Sequence, residues 1–60
     1  MTARSSTKSR AARLGDLLDL LVTLTWAAHE AGDNERQSIL DARYCRAEDA
    51  YIAAWNEAAA

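Results

Sequence analysis

The sequence contains few side chains with the reactivity that catalysis or metal binding requires. It has one histidine, His29, and one cysteine, Cys45. A single cysteine forms no disulfide within the chain, and no cluster of cysteine and histidine has the spacing of a zinc site. A catalytic histidine also needs a nearby nucleophile, and none adjoins His29 in the sequence. We therefore interpret His29 as a structural residue near a helix end and Cys45 as a small packing residue or a partly exposed thiol.

Carboxylates are the next candidates for chemistry. Asp41, Glu48 and Asp49 lie within one segment, and such acids bind metals in some helical bundles. The di-iron bundles, however, use inward-facing Glu-x-x-His motifs, and the sequence has no such motif. We predict that these acids form a solvated surface, with no metal, no cofactor and no enzymatic activity.

Basic residues are concentrated at the N-terminus. Residues 1–13 contain four basic residues and no acid, whereas residues 14–60 contain three arginines and nine acids. The four are Arg4, Lys8, Arg10 and Arg13. They are the candidate nucleic-acid contacts, because Lys and Arg neutralise phosphates. No aromatic residue is interleaved with them, so binding would be weak and independent of sequence. The alternative is that they only solubilise the terminus.

Composition and periodicity indicate the elements that would position these residues. The 60-residue chain has no proline, two glycines and abundant alanine, which favours helices. We predict a disordered basic arm over 1–8 and a helical hairpin over 9–60. Helix 1 is expected at about 10–31, the turn at 32–34 and helix 2 at about 35–58, because Gly32 suits a helix end and Asp33 or Asn34 can cap the next helix. So short a turn makes the two helices antiparallel.

Each helix has an apolar stripe with heptad spacing. Helix 1 is predicted to use Leu14, Leu17, Leu21, Leu24, Ala28 and Ala31. Helix 2 is predicted to use Leu40, Tyr44, Ala47, Tyr51, Ala54 and Ala58, with Trp55 beside them. Leu18, Leu20, Val22 and Trp26 are surplus apolar residues that one neighbouring helix does not cover.

The surplus predicts association. A 60-residue chain is near the lower limit for folding on its own core, and a lone hairpin would leave several leucines in water. We therefore expect a homodimeric four-helix bundle, with docking onto a larger protein as the alternative. The interface is predicted to include Leu14, Leu17, Leu18, Leu20, Leu21, Leu24, Trp26, Leu40, Tyr44, Tyr51 and Trp55. Trp26 either joins a docking surface or folds across the hairpin against Tyr44 or Ile39.

Two segments resemble the Rop (repressor of primer) family of plasmid proteins. They are VTLTWAAHEA and GDNERQSILDARYCRAEDAY, and the resemblance spans roughly residues 14–55. It rests on Thr23-Leu24, Glu30, Glu35, Ile39, Asp41, Ala47-Glu48-Asp49 and Tyr51. The resemblance implies a hairpin that dimerises into a four-helix bundle, with the helix 1 stripe in its core layers. Arg43 is a departure, because that position is apolar in the family's core.

The same resemblance implies an RNA-binding surface on helix 1, built in that family from basic, amide and aromatic side chains. The corresponding positions here are Ser5, Ala12, Asp16, Leu20 and Ala27. None is basic or aromatic, and the carboxylate of Asp16 would repel phosphate. The resemblance therefore predicts the architecture more than it predicts RNA binding.

The sequence as a whole favours a small regulatory or adaptor protein that binds a protein partner, of the kind found among plasmid and bacteriophage accessory proteins. The alternative is a Rop-like RNA-binding regulator, or a nucleic-acid binder that uses the basic arm. Acids at Asp16 and Asp19 interrupt the apolar run, which is also shorter than the ~20 residues that a membrane span requires. We expect a cytoplasmic protein without membrane contact.

Overall fold

Two helices account for nearly all of the chain in a computed structural model, which describes residues 9–59. Helix α1 spans Arg10–Glu30 and helix α2 spans Asn34–Ala59. They pack against each other along their length, and the segment 9–59 contains no strand. The predicted all-α pair of packed helices is confirmed, and each observed helix end is within one residue of the predicted one. The predicted arm, with Arg4 and Lys8, lies outside the described residues.

Both helix starts are capped by side chains. The Ser9 hydroxyl accepts a hydrogen bond of 3.1 Å from the Ala12 amide at the start of α1. The Asp33 carboxylate accepts one of 3.0 Å from the Arg36 amide at the start of α2. Each cap satisfies a backbone donor that has no partner within its helix. Asp33, rather than Asn34, is therefore the cap of α2.

The turn between the helices is a Schellman motif. The amide of Asp33 donates to the carbonyl of Ala28 at 2.9 Å, and the amide of Gly32 donates to that of His29 at 3.0 Å. Gly32 has φ +73°, the left-handed conformation that this motif requires and that glycine adopts without steric cost. The chain therefore reverses within three residues, and the helices become antiparallel neighbours. An ion pair of 3.4 Å between Arg10 and Glu57 joins their far ends.

The core is thin and is built largely from alanine. Its buried residues are Ala11, Leu21, Ala28, Leu40, Ala47 and Ala54. Leu18, Leu24 and Tyr44 are half-buried and pack against this cluster. No side chain among the described residues is completely buried. Small residues at the contact bring the helices close, but they bury little apolar area.

The contact stripe on α1 differs from the predicted one. Leu17 is 40% exposed, whereas Leu18 is half-buried against α2, so the assignment of Leu17 to the contact between the helices was wrong. The observed stripe is Ala11, Leu14, Leu18, Leu21, Thr25 and Ala28, and Leu24 of the predicted stripe also packs against the core. Both stripes contain Leu14 and Leu21 and have heptad spacing. The observed stripe combines them with Leu18 on one side, whereas the predicted stripe combined them with Leu17 on the other, so the two differ by a rotation of about 50° around the helix axis. Ala31 and Ala58, predicted at the ends of the stripes, are exposed.

Neither α1 nor α2 is sufficiently long and apolar to cross a membrane, within the part of the chain that the structure describes.

Candidate interaction surfaces

Many of the large apolar side chains lie outside the core. Seven of them in the described segment are at least 40% exposed. They are Leu17, Leu20, Val22, Trp26, Ile39, Ile52 and Trp55. Their positions on the two helices define two surfaces on opposite faces of the hairpin.

The first is the leucine surface, formed by Leu17, Leu20 and Leu24 of α1. Spacings of three and four residues place these side chains on one side of the helix, next to the contact with α2. Leu24 is half-buried, whereas Leu17 is 40% and Leu20 53% exposed. The three leucines therefore form a partly exposed apolar ridge along the middle of α1.

The ion pair between Arg10 and Glu57 identifies the part of α2 that adjoins this ridge. On α1, Arg10 lies seven residues before Leu17 and therefore shares its heptad position. On α2, Glu57 lies fourteen residues after Arg43 and likewise shares its heptad position. Because Arg10 contacts Glu57, the Leu17 side of α1 and the Arg43 side of α2 form one face. Arg43 lines a cleft on this face with Arg36 and Ile39.

The second surface is the aromatic groove, which runs between the helices on the opposite face. We define it by Val22, Trp26, Tyr44, Tyr51 and Trp55. One cleft is lined by the first three of these residues, and a second contains Tyr44 with Tyr51 and Trp55. Since both clefts include Tyr44, they form one continuous depression. A third cleft extends it past Trp26 to His29 and Gln37 at the turn.

Contacts between aromatic rings and a glycine on α1 shape the groove. Tyr51 packs edge-on against Trp55, with ring centroids 6.2 Å apart, and Trp26 packs edge-on against His29 at 5.7 Å. A Cβ atom at Gly15 would lie only 3.4 Å from the Tyr51 ring, so the glycine leaves room for that ring beside α1. Trp26 lines one cleft with Tyr44 but remains 61% exposed.

Charges are divided between the two faces. Asp19 and Asp41 line the clefts of the aromatic groove, and Glu48 lies one heptad after Asp41 on the same side of α2. No arginine of the described segment lines any of the three clefts of this face. Arg36 and Arg43 line the cleft on the other face, together with Asp33 and Glu35. The groove is therefore an acidic aromatic surface, whereas the face of the leucine surface carries charges of both signs.

The predicted interface residues are divided among three places. Leu21 and Leu40 are buried in the core, and Leu14 and Leu18 are half-buried beside it. These four already pack within the hairpin. The remainder, partly or largely exposed, is on the two surfaces: Leu17, Leu20 and Leu24 on one, and Trp26, Tyr44, Tyr51 and Trp55 on the other.

Two residues of the molecular surface were not recognised from the sequence. Ile52 is 53% exposed on the outer side of α2, and only its separation from the predicted stripe indicated this. No role was predicted for Gly15. A glycine inside one helix, opposite a tyrosine of its antiparallel neighbour, is the signal for close packing that was overlooked.

The remaining candidates contribute no assembled site. Of the four basic residues predicted to contact nucleic acid, Arg10 is paired with Glu57 and Arg13 is exposed on α1. Residues 9–59 contain no group of three His, Cys, Asp or Glu side chains arranged to hold a metal ion. Cys45 is an exposed free thiol.

Comparison of the chain with protein-family models, with curated proteins and with solved structures found no significant match. The function is therefore inferred from the two surfaces themselves.

Proposed function

We propose that this protein acts by binding rather than by catalysis: it self-associates and engages a macromolecular protein partner as a small regulator or adaptor. The observation that carries the proposal is the leucine surface. Leu17 and Leu20 remain 40% and 53% exposed although the chain has only a thin core to stabilise it. Burial of each leucine contributes about 1.5–3 kcal/mol, so covering this surface supplies stabilisation that the hairpin lacks.

A second copy of the chain fits the leucine surface. The three leucines occupy two turns of α1, so a two-fold axis near Leu20 would pair Leu17 of one copy with Leu24 of the other. The two α1 helices would then be antiparallel, and the two hairpins would form a four-helix bundle. The exposed arginines Arg36 and Arg43 would stay at the rim, with only their aliphatic stems against the partner.

The charges at the ends of α1 favour this arrangement. The first turn of α1 contains no acid, and Arg10 and Arg13 lie in or next to it. Glu30 is the last residue of the same helix. Antiparallel packing brings the basic end of one α1 beside the acidic end of the other, where the carbonyl groups of the helix terminus also attract cations. A parallel pair would place like charges together.

Sedimentation equilibrium of the wild-type protein and two glutamate variants tests self-association. Leu20→Glu is expected to give a monomer, because a carboxylate at the centre of the interface is costly to bury. Ile52→Glu is the matched control, since both residues are 53% exposed but only Leu20 lies on the leucine surface. A wild-type chain that is a folded monomer at micromolar concentration would contradict the proposal, as would equal disruption by both variants.

A second candidate function is nucleic-acid binding, either as a Rop-like regulator or through the basic arm. The observation that favours it is the presence of Arg36 and Arg43 in one cleft, on the face that also carries Arg10, although Asp33 and Glu35 line the same cleft. Retention on heparin that modest salt abolishes, and that Arg4→Ala with Lys8→Ala weakens, would support it. The acidic aromatic groove on the other face favours a protein partner instead.

A further inference from the structure

The aromatic groove has features of a recognition site that self-association through the leucine surface does not use. Trp26 and Trp55 are 61% and 53% exposed, and they lie toward opposite ends of the groove. Tryptophan is costly to leave in water and is enriched among the residues that dominate binding energies. Because the groove is on the face opposite the leucine surface, a dimer formed through that surface leaves it open on both copies.

The shape of the groove suits a third helix. It is a long depression between two antiparallel helices, with Tyr44 at its middle. Near Tyr51 the groove is bordered by Gly15, which has no side chain to fill it. Side chains of an added helix pack into such a depression as they do between the helices of a bundle. A small molecule would leave most of this open surface in contact with water.

One rim of the groove carries two acids and a tryptophan at intervals of seven residues along α2. Asp41, Glu48 and Trp55 are separated by seven residues each, so they share a heptad position. Seven residues correspond to two turns, or about 10.5 Å along the axis. A helix lying alongside would present residues i, i+7 and i+14 at the same intervals. Basic side chains at those positions would meet a carboxylate, a second carboxylate and the face of an indole ring.

We propose that the aromatic groove binds a basic amphipathic helix of a partner protein. Its apolar side packs against Tyr44 and Tyr51. Its Lys or Arg side chains pair with Asp41 and Glu48, and one of them lies over the ring of Trp55 in a cation–π contact. This assignment rests on the proposed function in that a protein partner exists, but it does not require self-association. A nucleic acid is disfavoured here, since the carboxylates repel phosphate.

The test uses the full chain and two synthetic helical peptides that lack tryptophan. Both carry leucines at heptad positions, with Lys at i, i+7 and i+14 in one and Glu at the same positions in the other. Binding is followed through the fluorescence of Trp26 and Trp55. The Lys peptide is expected to bind and to lose affinity at high salt, whereas the Glu peptide should bind at least about tenfold more weakly.

Paired variants locate the contact. Asp41→Asn with Glu48→Gln should weaken binding of the Lys peptide by about two- to fivefold for each carboxylate removed. Glu35→Gln with Asp49→Asn is the matched control. It removes the same charge from α2, but at positions 35 and 49, which do not share the heptad position of Asp41, Glu48 and Trp55, and should leave affinity unchanged. Trp55→Ala should cost about tenfold, with folding checked by circular dichroism.

Three results would overturn the assignment. Equal affinity for the two peptides would show that charge does not select the occupant, and an equal effect of the two paired variants would place the contact elsewhere. A gain in affinity on changing Arg4 and Lys8 to alanine would identify the chain's own basic arm as the occupant. None of these results bears on the Leu20→Glu experiment, which reports on the opposite face.

Discussion

At the scale of single residues, the two glycines of this chain have opposite roles. Gly32 has φ +73° and forms the turn, so an L-residue there is strained even though nothing lies within 4 Å of its added Cβ. We expect Gly32→Ala to lower the free energy of unfolding by about 1–2 kcal/mol. Urea denaturation at one protein concentration measures this. An unchanged midpoint would show that the turn does not hold the left-handed conformation.

Gly15 lies inside α1, where alanine is favoured over glycine by about 1 kcal/mol. An added Cβ meets the Tyr51 ring at 3.4 Å, which is close to an ordinary van der Waals contact. We therefore expect Gly15→Ala to raise the free energy of unfolding, by up to about 1 kcal/mol, in the same assay. Gly15→Val serves as the contrast, because its branched side chain would displace Tyr51 and should destabilise the protein. A loss of stability with alanine would mean that the ring cannot shift.

At the scale of the elements, the sequence predicted the bounds of the helices better than it predicted which side of α1 faces α2. Heptad spacing, Gly32 and the capping residues that follow it were sufficient to place both helices, since these are local signals. The stripe of α1 was misplaced because leucines flank Leu21 on both sides. A stripe through Leu17 and one through Leu18 have the same spacing, and periodicity alone does not distinguish them. Packing against Tyr44 and the rest of α2 decides between them, and that information lies outside α1.

The same ambiguity explains what was and was not predicted of the surfaces. The excess of apolar residues on α1 followed directly from composition, and so did the expectation that something covers them. The aromatic groove did not, because it combines residues of α1 and α2 whose neighbourhood depends on how the helices are rotated. Trp26 illustrates the difference: its position outside the stripe was evident, whereas its place at the groove beside Tyr44 required the structure.

Comparison of Leu17→Ala with Leu18→Ala tests the register of α1. Leu18 packs within the hairpin, so its truncation should cost about 2 kcal/mol of unfolding free energy in dilute protein. Leu17 is 40% exposed, and under the same conditions its truncation should cost about 1 kcal/mol or less. Thermal denaturation of both variants at low concentration, where association contributes least, gives the comparison. The reverse order would restore the stripe predicted from the sequence.

At the scale of the whole molecule, we propose that one face serves association and the other serves recognition. The leucine surface has neighbours of both charges and a self-complementary arrangement of charges along α1, which suits a second copy. The aromatic groove has acidic neighbours and two exposed tryptophans, which suits a basic segment of another protein. A dimer built in this way presents two grooves on its outer faces. A partner with two basic helices would then bind with increased avidity if its linker spans the distance between them.

Thiol crosslinking tests the arrangement of the proposed dimer, because Cys45 is the only cysteine of the chain. Cys45 is exposed on α2 and lies seven residues before Ile52, at the same heptad position, away from the leucine surface. In a dimer formed through that surface the two Cys45 thiols would be far apart, on the outside of the bundle. A short bismaleimide should therefore leave the wild-type dimer uncrosslinked.

Moving the thiol to the proposed two-fold axis should reverse this result. In a Cys45→Ser, Leu20→Cys variant, the two thiols would face each other across helices packed about 8–10 Å apart, which a short bismaleimide spans. Covalent dimer on a denaturing gel is the expected outcome, at protein concentrations where sedimentation shows association. Efficient crosslinking through Cys45 instead would place the interface on the outer side of α2. The aromatic groove would then be partly covered by the second copy, and the basic helix would lose its site.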